Sequence, residues 1–367
     1  MPGLYIHVPF CRTKCAYCDF YSLPGIEKYA NRYISALEKE WTLRKSEIEA
    51  PHTIYIGGGT PSSLPIDAFD KIKHILSQIS DFGEFTIEVN PEDVNITKIN
   101  KWLDLGINRI SMGVQSLNDC ELAKVGRRHT ESEAIKAYQI LRENFNNISL
   151  DIIIGLPGQT LQSLESTLQK LIELKPEHIS AYILSYEEGT RLWAMRKIGK
   201  ISETEEDTIV AMYDLVCQTL DNAGYEHYEI SNFALPGKRA QHNSSYWEGS
   251  AYLGLGPAAH SFDGSVRRVN PSNIKSWLTA IEGGTIAYTV EPESLTDKIN
   301  NQIMIKLRTK EGLDLKALPL SVCEYLSLRI DKLSKFGRIC RENDRIYIPE
   351  RQWIVSDDTI AELFLED

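Results

Sequence analysis

No part of this chain approaches the run of roughly eighteen apolar residues that a bilayer-spanning helix needs. Its first residues also lack a basic segment followed by an apolar one, so no secretory leader is expected. Cations are in short supply: 40 Lys and Arg face 51 Asp and Glu, a formal net charge of −11. That balance opposes non-specific binding to phosphate backbones, and nucleic acid is not expected as a partner. Cysteine is sparse, and four of the seven (Cys120, Cys217, Cys323 and Cys340) are scattered. Scattered thiols argue against a disulfide framework and for a reducing, cytoplasmic setting. Low-complexity linkers are missing too. What remains is a chain of 367 residues, 42% of them hydrophobic, enough for a sizeable core and about two domains.

The other three cysteines lie in one short stretch, Tyr5-Ile-His-Val-Pro-Phe-Cys11-Arg-Thr-Lys-Cys15-Ala-Tyr-Cys18-Asp-Phe20, directly after an apolar, strand-like run. Three thiolates at this spacing suit an iron–sulfur cluster. Zinc is the competing metal, but a structural zinc site wants four ligands, and neither Asp19, Phe20 nor His7 is a good fourth. A four-iron cluster held by Cys11, Cys15 and Cys18 leaves one iron open to a small molecule.

The first half alternates short β-branched runs with longer helical patterns. Strands are expected at Leu4 to Val8, Thr53 to Gly57, Glu84 to Asn90, Arg109 to Gly113, Ile148 to Gly155 and His178 to Ser185. Tyr29, Tyr33, Leu37 and Trp41 mark one face of a helix, as do Ile72, Ile75, Leu76 and Ile79. Repeated βα units imply a parallel sheet with right-handed crossovers. Six units predict an α/β fold built on a partial (β/α)6 barrel, with its site at the C-terminal strand ends. There Gly57-Gly58-Gly59-Thr60-Pro61-Ser62 is expected to offer backbone N–H groups to a ligand; no Gly-Lys-Ser/Thr follows, so it is no P-loop. Glu88, Gln115 and Asp151 are polar groups inside apolar runs, each in need of a partner. Pairing with Arg109, Arg127 or Arg128 would make them structural; together around a metal loop they read as a polar cup. The βα repeat stops after Ser185, and helices then a hairpin turning at Glu342-Asn-Asp-Arg345 suggest a small winged-helix-like domain. The expected divisions are 1–230, 231–290 and 291–367.

The Cys-x-x-x-Cys-x-x-Cys loop resembles that of the radical S-adenosylmethionine (SAM) enzymes. Tyr-Ile-His-Val-Pro-Phe-Cys, Gly-Gly-Gly-Thr-Pro-Ser, Ile-Glu-Val-Asn-Pro, Ser-Met-Gly-Val-Gln-Ser and Asp-Ile-Ile-Ile-Gly-Leu-Pro-Gly are similar, in order, to motifs of the oxygen-independent coproporphyrinogen III oxidase family. The resemblance implies a [4Fe–4S] cluster on Cys11, Cys15 and Cys18, and SAM contacts from Tyr5, Gly58, Gly59, Thr60, Glu88, Gln115, Arg127 and Asp151. Two departures, Phe20 where the oxidases carry a further cysteine and a short lead into Tyr5, resemble instead the heme-chaperone members of the family. So does His242-Asn-Ser-Ser-Tyr-Trp247. The expectation is a protein that binds heme and transfers it to acceptor proteins, with His242 as candidate axial ligand and Arg267 and Arg268 as propionate partners. His260 and the scattered cysteines compete with His242. The alternative is a radical SAM enzyme acting on a tetrapyrrole.

Overall fold

The computed structural model describes every residue except Ser80 and Asp367. Six strands, β1 (Gly3–Val8), β2 (Thr53–Gly58), β3 (Glu84–Val89), β4 (Arg109–Gln115), β5 (Ile148–Ile154) and β6 (His178–Ile183), lie side by side in chain order and all parallel. Parallel neighbours need long crossovers, and helices supply them. These are α1 (Ile26–Arg44), α2 (Ile66–Leu76), α3 (Ile96–Leu105), the consecutive pair α4 (Asp119–Lys124) and α5 (Glu131–Arg142), and α6 (Leu161–Leu174). Alternation along β1 sends Leu4, Ile6 and Val8 into the core beneath α1, where Tyr33, Leu37 and Trp41 are buried. Tyr5 and His7 take the opposite, inner face. Helix starts are where the side chains predict them: Asn95 caps α3, and Thr130 and Thr160 close capping boxes on α5 and α6.

Beyond Ser185 the βα repeat ends, yet the sheet continues. Helices α7 (Arg191–Lys197) and α8 (Glu206–Asn222) lead to the hairpin β7 (Glu226–Glu229) and β8 (Asn232–Ala234), which adds antiparallel to β6. After α9 (Gln241–Glu248), β9 (Tyr252–Leu255) joins the opposite edge, parallel to β1. Strands β10 (His260–Phe262) and β11 (Arg267–Val269), helix α10 (Ile274–Glu282) and β12 (Thr289–Glu291) extend that edge. The result is one twelve-stranded sheet, ordered β12-β11-β10-β9-β1-β2-β3-β4-β5-β6-β8-β7, whose two ends do not pair with each other among the described residues. It is a partial (β/α)6 barrel with both edges extended. Residues 231–290 therefore share the sheet of the barrel.

The C-terminal part carries α11 (Leu295–Lys306), β13 (Leu313–Asp314), α12 (Leu320–Lys335), the hairpin β14 (Cys340–Glu342) and β15 (Arg345–Tyr347), and α13 (Ser356–Ala361). Its three strands form a separate sheet, β13-β15-β14, and Asn343 takes the left-handed turn position expected between the hairpin strands. Among the described residues no helix is long and apolar enough to cross a membrane.

A buried ion pair fastens the late strands to the first helix. Arg44 and Glu40, one turn apart on α1, are wholly buried and 3.2 Å apart. Arg44 also donates to the Gly254 carbonyl at 3.1 Å and to Ser261 Oγ at 3.0 Å. Glu40 accepts from Asn270 Nδ2 at 2.7 Å, the Gly256 N–H at 2.8 Å and Trp277 Nε1 at 3.2 Å. Removing one member strands a charge away from water, which costs about 3–5 kcal/mol. Arg44→Met is therefore expected to lower unfolding stability by about that amount in urea denaturation, and Glu40→Gln in the same chain to recover part of it.

Candidate cofactor site at the barrel mouth

Past Val8 the chain leaves β1 and folds back over the C-terminal end of the barrel. Backbone bonds pin this loop on several sides: Cys11 N–H to Leu23 O (3.0 Å), Ala16 N–H to Val125 O (2.9 Å) and Leu192 N–H to Ala16 O (2.7 Å). Cys11, Cys15 and Cys18 are free thiols, each partly exposed. Burial raises the Cys11 thiol above its usual range and pushes Cys18 up to about 11, so thiolate ligation there must expel protons. Phe20, beside the loop, is 64% exposed.

The glycine loop after β2 differs from its expected role. Its N–H groups are already committed: Gly58 donates to Glu88 Oε2 (3.0 Å), Gly59 to Val8 O (2.8 Å) and Thr60 to Phe10 O (2.7 Å). Glycine is needed there for close approach. A Cβ on Gly59 would lie 2.6 Å from the Phe10 carbonyl, and one on Gly58, where φ is +109°, 2.6 Å from the His7 ring. The loop is thus a seat for the cysteine stretch.

Polar side chains from three further elements run beneath the thiols. Thr60 Oγ1 donates to Cys11 Sγ (3.3 Å), Asn90 Nδ2 to Thr60 Oγ1 (3.4 Å), Arg127 Nη2 to Asn90 Oδ1 (2.9 Å) and Arg127 Nη1 to Cys15 Sγ (3.5 Å). Two sulfurs are thereby joined through donors that point at them. Arg127 Nη2 also bonds the Gly113 carbonyl at 2.6 Å, while its Nε is buried with no partner. Asn90 was not singled out by sequence; its place directly after β3 in Asn-Pro was the available signal.

Around this ring the expected cup residues come together on neighbouring strands. Glu88 accepts from Tyr55 Oη (2.8 Å) as well as Gly58, and Asp151 from Ser111 Oγ (2.7 Å) and Ser149 Oγ (3.0 Å). Neither makes a direct ion pair with Arg109, Arg127 or Arg128, although the Arg109 charge lowers Asp151. Burial raises both carboxyls, Glu88 to about 7. Gln115 ends β4 at φ +66°, an uncommon conformation for a side-chain-bearing residue, and its amide folds over Gly113. Tyr5 donates to His7 Nδ1 (2.9 Å), because His7 Nε2 must carry the proton given to the Tyr21 carbonyl (2.9 Å).

His242 lies elsewhere. It opens α9 at the N-terminal strand ends, where Thr53 begins β2 and Glu84 begins β3. The rises between the six residues of β1, at about 3.3 Å each, put its two ends roughly 17 Å apart. Its ring is buried, bonded through Nδ1 to Thr53 Oγ1 (2.8 Å) and through Nε2 to Tyr246 Oη (2.9 Å), and stacked on Tyr55. Burial lowers its pKa to about 3. Glu84 accepts the first two N–H groups of α9, from Gln241 (2.9 Å) and His242 (3.0 Å). The motif expected to ligate heme is here a brace across the barrel floor, with neither ring nitrogen free for iron. Arg267 donates to Tyr252 Oη (3.0 Å) and Arg268 pairs with Asp263 (2.8 Å), while His260 is exposed.

Residues 5–171 match the model of the radical SAM superfamily. The heme chaperone HemW of Bacillus subtilis is 36% identical over 324 residues, covering 86% of each chain. The chain belongs to the HemW family. The HemW of Lactococcus lactis is 32% identical over 99% of this chain and 97% of its own. The solved coproporphyrinogen III oxidase HemN of Escherichia coli covers 99% of this chain and 90% of its own with TM-score 0.85 at 22% identity, a likeness of fold.

The residues at the mouth fit the cofactors that this superfamily implies. Among the described residues no three His, Cys, Asp or Glu side chains converge on one ion position. A [4Fe–4S] cluster would take one thiolate on each of three irons, and Cys11, Cys15 and Cys18 are three free thiols in one loop. The donors aimed at Cys11 and Cys15, and the unmet Nε of Arg127, are the polar complement that an anionic cluster and a bound carboxylate require.

Two outcomes are expected. Cys11→Ala, Cys15→Ala or Cys18→Ala should abolish the iron–sulfur absorbance of anaerobically reconstituted protein, whereas substituting Cys120, Cys217, Cys323 or Cys340 should leave it intact. A Glu88 carboxyl at about 7 in the fold is raised above its unfolded value, so ionising it costs stability above that pH. The cost disappears as pH falls toward about 4.5. Urea midpoints should show Glu88→Gln gaining on the parent chain from about pH 5 to about pH 8.5.

Proposed function

We propose that this protein binds heme and passes it to acceptor proteins in the cytoplasm, carrying a [4Fe–4S] cluster on Cys11, Cys15 and Cys18 and SAM in the cup above it. The observation that carries this reading is near-full-length similarity to HemW chaperones at 30% identity or more. Phe20, exposed beside the cluster loop, agrees with it. Decarboxylation of coproporphyrinogen is not favoured, since the likeness to HemN is one of fold.

When bound, the cluster and SAM supply one-electron chemistry or a redox-sensitive structural centre. The chain's own residues bind and orient. Cys11, Cys15 and Cys18 supply thiolates, and Thr60 and Arg127 donate to two of them. Glu88, in the fold with no cation opposite it, is suited to a positively charged ligand; Tyr5, Gly58, Gly59, Gln115 and Asp151 line the same cup. The glycine loop contributes by letting the cysteine backbone close down.

Anaerobic reconstitution followed by parallel hemin-binding and coproporphyrinogen-decarboxylation assays tests the proposal. Hemin binding with transfer to an apo-cytochrome, and no decarboxylation, is expected; decarboxylation without hemin binding would overturn it. Replacing Glu88, Gln115 or Asp151 with an apolar residue should weaken SAM binding in calorimetry by about 1.5–3 kcal/mol each, the range for hydrogen bonds to a charged group. Unchanged affinity in all three variants would make them structural.

A further inference from the structure

One line of buried hydrogen bonds joins the floor of the barrel to the cup at its mouth. The Ala240 N–H, just ahead of α9, donates to Tyr228 Oη at 3.3 Å. Tyr228 Oη stands 2.8 Å from His178 Nε2, and His178 Nδ1 stands 2.8 Å from Ser149 Oγ. Ser149 Oγ then donates to Asp151 Oδ1 at 3.0 Å. Strand register sets these groups in line: His178 opens β6 opposite Ser149 on β5, and Asp151 follows two residues later on the same face. Ala240, Tyr228, His178 and Ser149 are all buried.

The two ends of this line fix its direction. A backbone N–H can only donate, and a carboxylate can only accept. Between them stand two hydroxyls and one imidazole, which is neutral because burial and the Arg109 charge hold its pKa well below its ordinary value. A neutral ring carries one N–H. With Ser149 spending its only proton on Asp151, the ring proton belongs on Nδ1, where it is given to Ser149, and the bare Nε2 accepts from Tyr228. Every donor then has an acceptor. The opposite tautomer would turn the Ser149 proton onto Nδ1 and away from Asp151. It would also leave Tyr228 Oη facing two donors, with its own proton unplaced in the core, which is costly. Ser149 has one other polar neighbour, Ser180 Oγ at 3.4 Å, so the Nδ1–H donor is what settles its hydroxyl on the carboxylate.

We propose that His178 is a positioning residue for the SAM cup: as its Nδ1–H tautomer, held by Tyr228, it fixes the Ser149 proton on Asp151 and presents that carboxylate to the ligand as an acceptor. The inference rests on the SAM reading above. Ser111 Oγ secures the second oxygen at 2.7 Å, so the carboxylate is held at both ends. SAM carries hydroxyl and amino donors, and an acceptor oriented in advance meets them with little reorganisation. His178, wholly buried, acts through Ser149.

SAM calorimetry on the full chain, anaerobically loaded with its cluster, tests this, with iron–sulfur absorbance reporting that each variant has folded. His178→Leu is expected to weaken SAM about tenfold, as loss of an oriented hydrogen bond to a charged group would. His178→Asn, whose amide N–H falls near the Nδ1 position, should bind within about threefold of the parent, whereas His178→Gln, which reaches toward the Nε2 position, should be as weak as His178→Leu. Tyr228→Phe removes one oxygen, keeps the packing and should weaken SAM about threefold, which carries the test even where a His178 variant does not fold. In a chain carrying Asp151→Asn, already weaker for SAM, His178→Leu should have no further effect. Equal affinities in the three His178 variants, a full His178→Leu loss persisting beside Asp151→Asn, or parent-like affinity in Tyr228→Phe would make the line a packing feature and overturn the proposal while leaving the cup standing. Parent-like affinity in Asp151→Asn would overturn the reading of Asp151 as a SAM contact, and the proposal with it.

Discussion

Two carboxylates buried away from water and held by hydrogen bonds, Glu88 and Asp151, shape the interior of this barrel. Helices cover the outside of a parallel sheet, so polar groups on the inner face must find partners among themselves. Tyr55 and the Gly58 N–H hold Glu88; Ser111 and Ser149 hold Asp151. Burial outweighs those hydrogen bonds, and for Asp151 the nearby Arg109 charge as well, which is why both carboxyls are raised. A cup in that state is complementary to a cationic ligand before the ligand arrives, as electrostatic preorganisation requires.

The same economy governs the cysteine loop. Gly58 and Gly59 remove the side chains that would collide with His7 and Phe10, letting the loop backbone rest on the loop after β2. Thr60, Asn90 and Arg127 then tie Cys11 and Cys15 into one polar ring drawn from separate βα units. Thiols held this way reach a cluster with little freedom left to lose, and donors to the sulfurs are among the means by which a protein tunes such a centre.

At the other end of the barrel, α9 closes the floor. Glu84 caps its first turn while His242 bridges Thr53 and Tyr246, and conservative packing at this end of a barrel serves stability more than chemistry. The buried Arg44–Glu40 pair performs the matching task outside the sheet, tying α1 to β9, β10 and α10. Both devices exist because β9 adds beside β1 from 249 residues away in sequence, and contacts that distant need specific polar partners to set their register.

Local pattern determined much of this protein. Six strands, the amphipathic faces of α1 and α2, the C-terminal hairpin and the metal-loop spacing all follow from side-chain period and turn chemistry, which act over a few residues. Glu88 and Asp151 could be singled out because a charge in an apolar strand has to be satisfied somewhere. Ser149, two residues before Asp151 on β5, shares its face by strand period, but only tertiary structure supplied Tyr55 and Ser111 from other strands. It also decided that the glycine loop serves close approach, because its N–H groups are spent on Glu88, Val8 and Phe10. His242 shows the limit most clearly: an imidazole in an aromatic-rich motif has the chemistry of a ligand. Whether its nitrogens are free depends on Thr53, 189 residues away along the chain, and sequence period carries no information about a contact of that range.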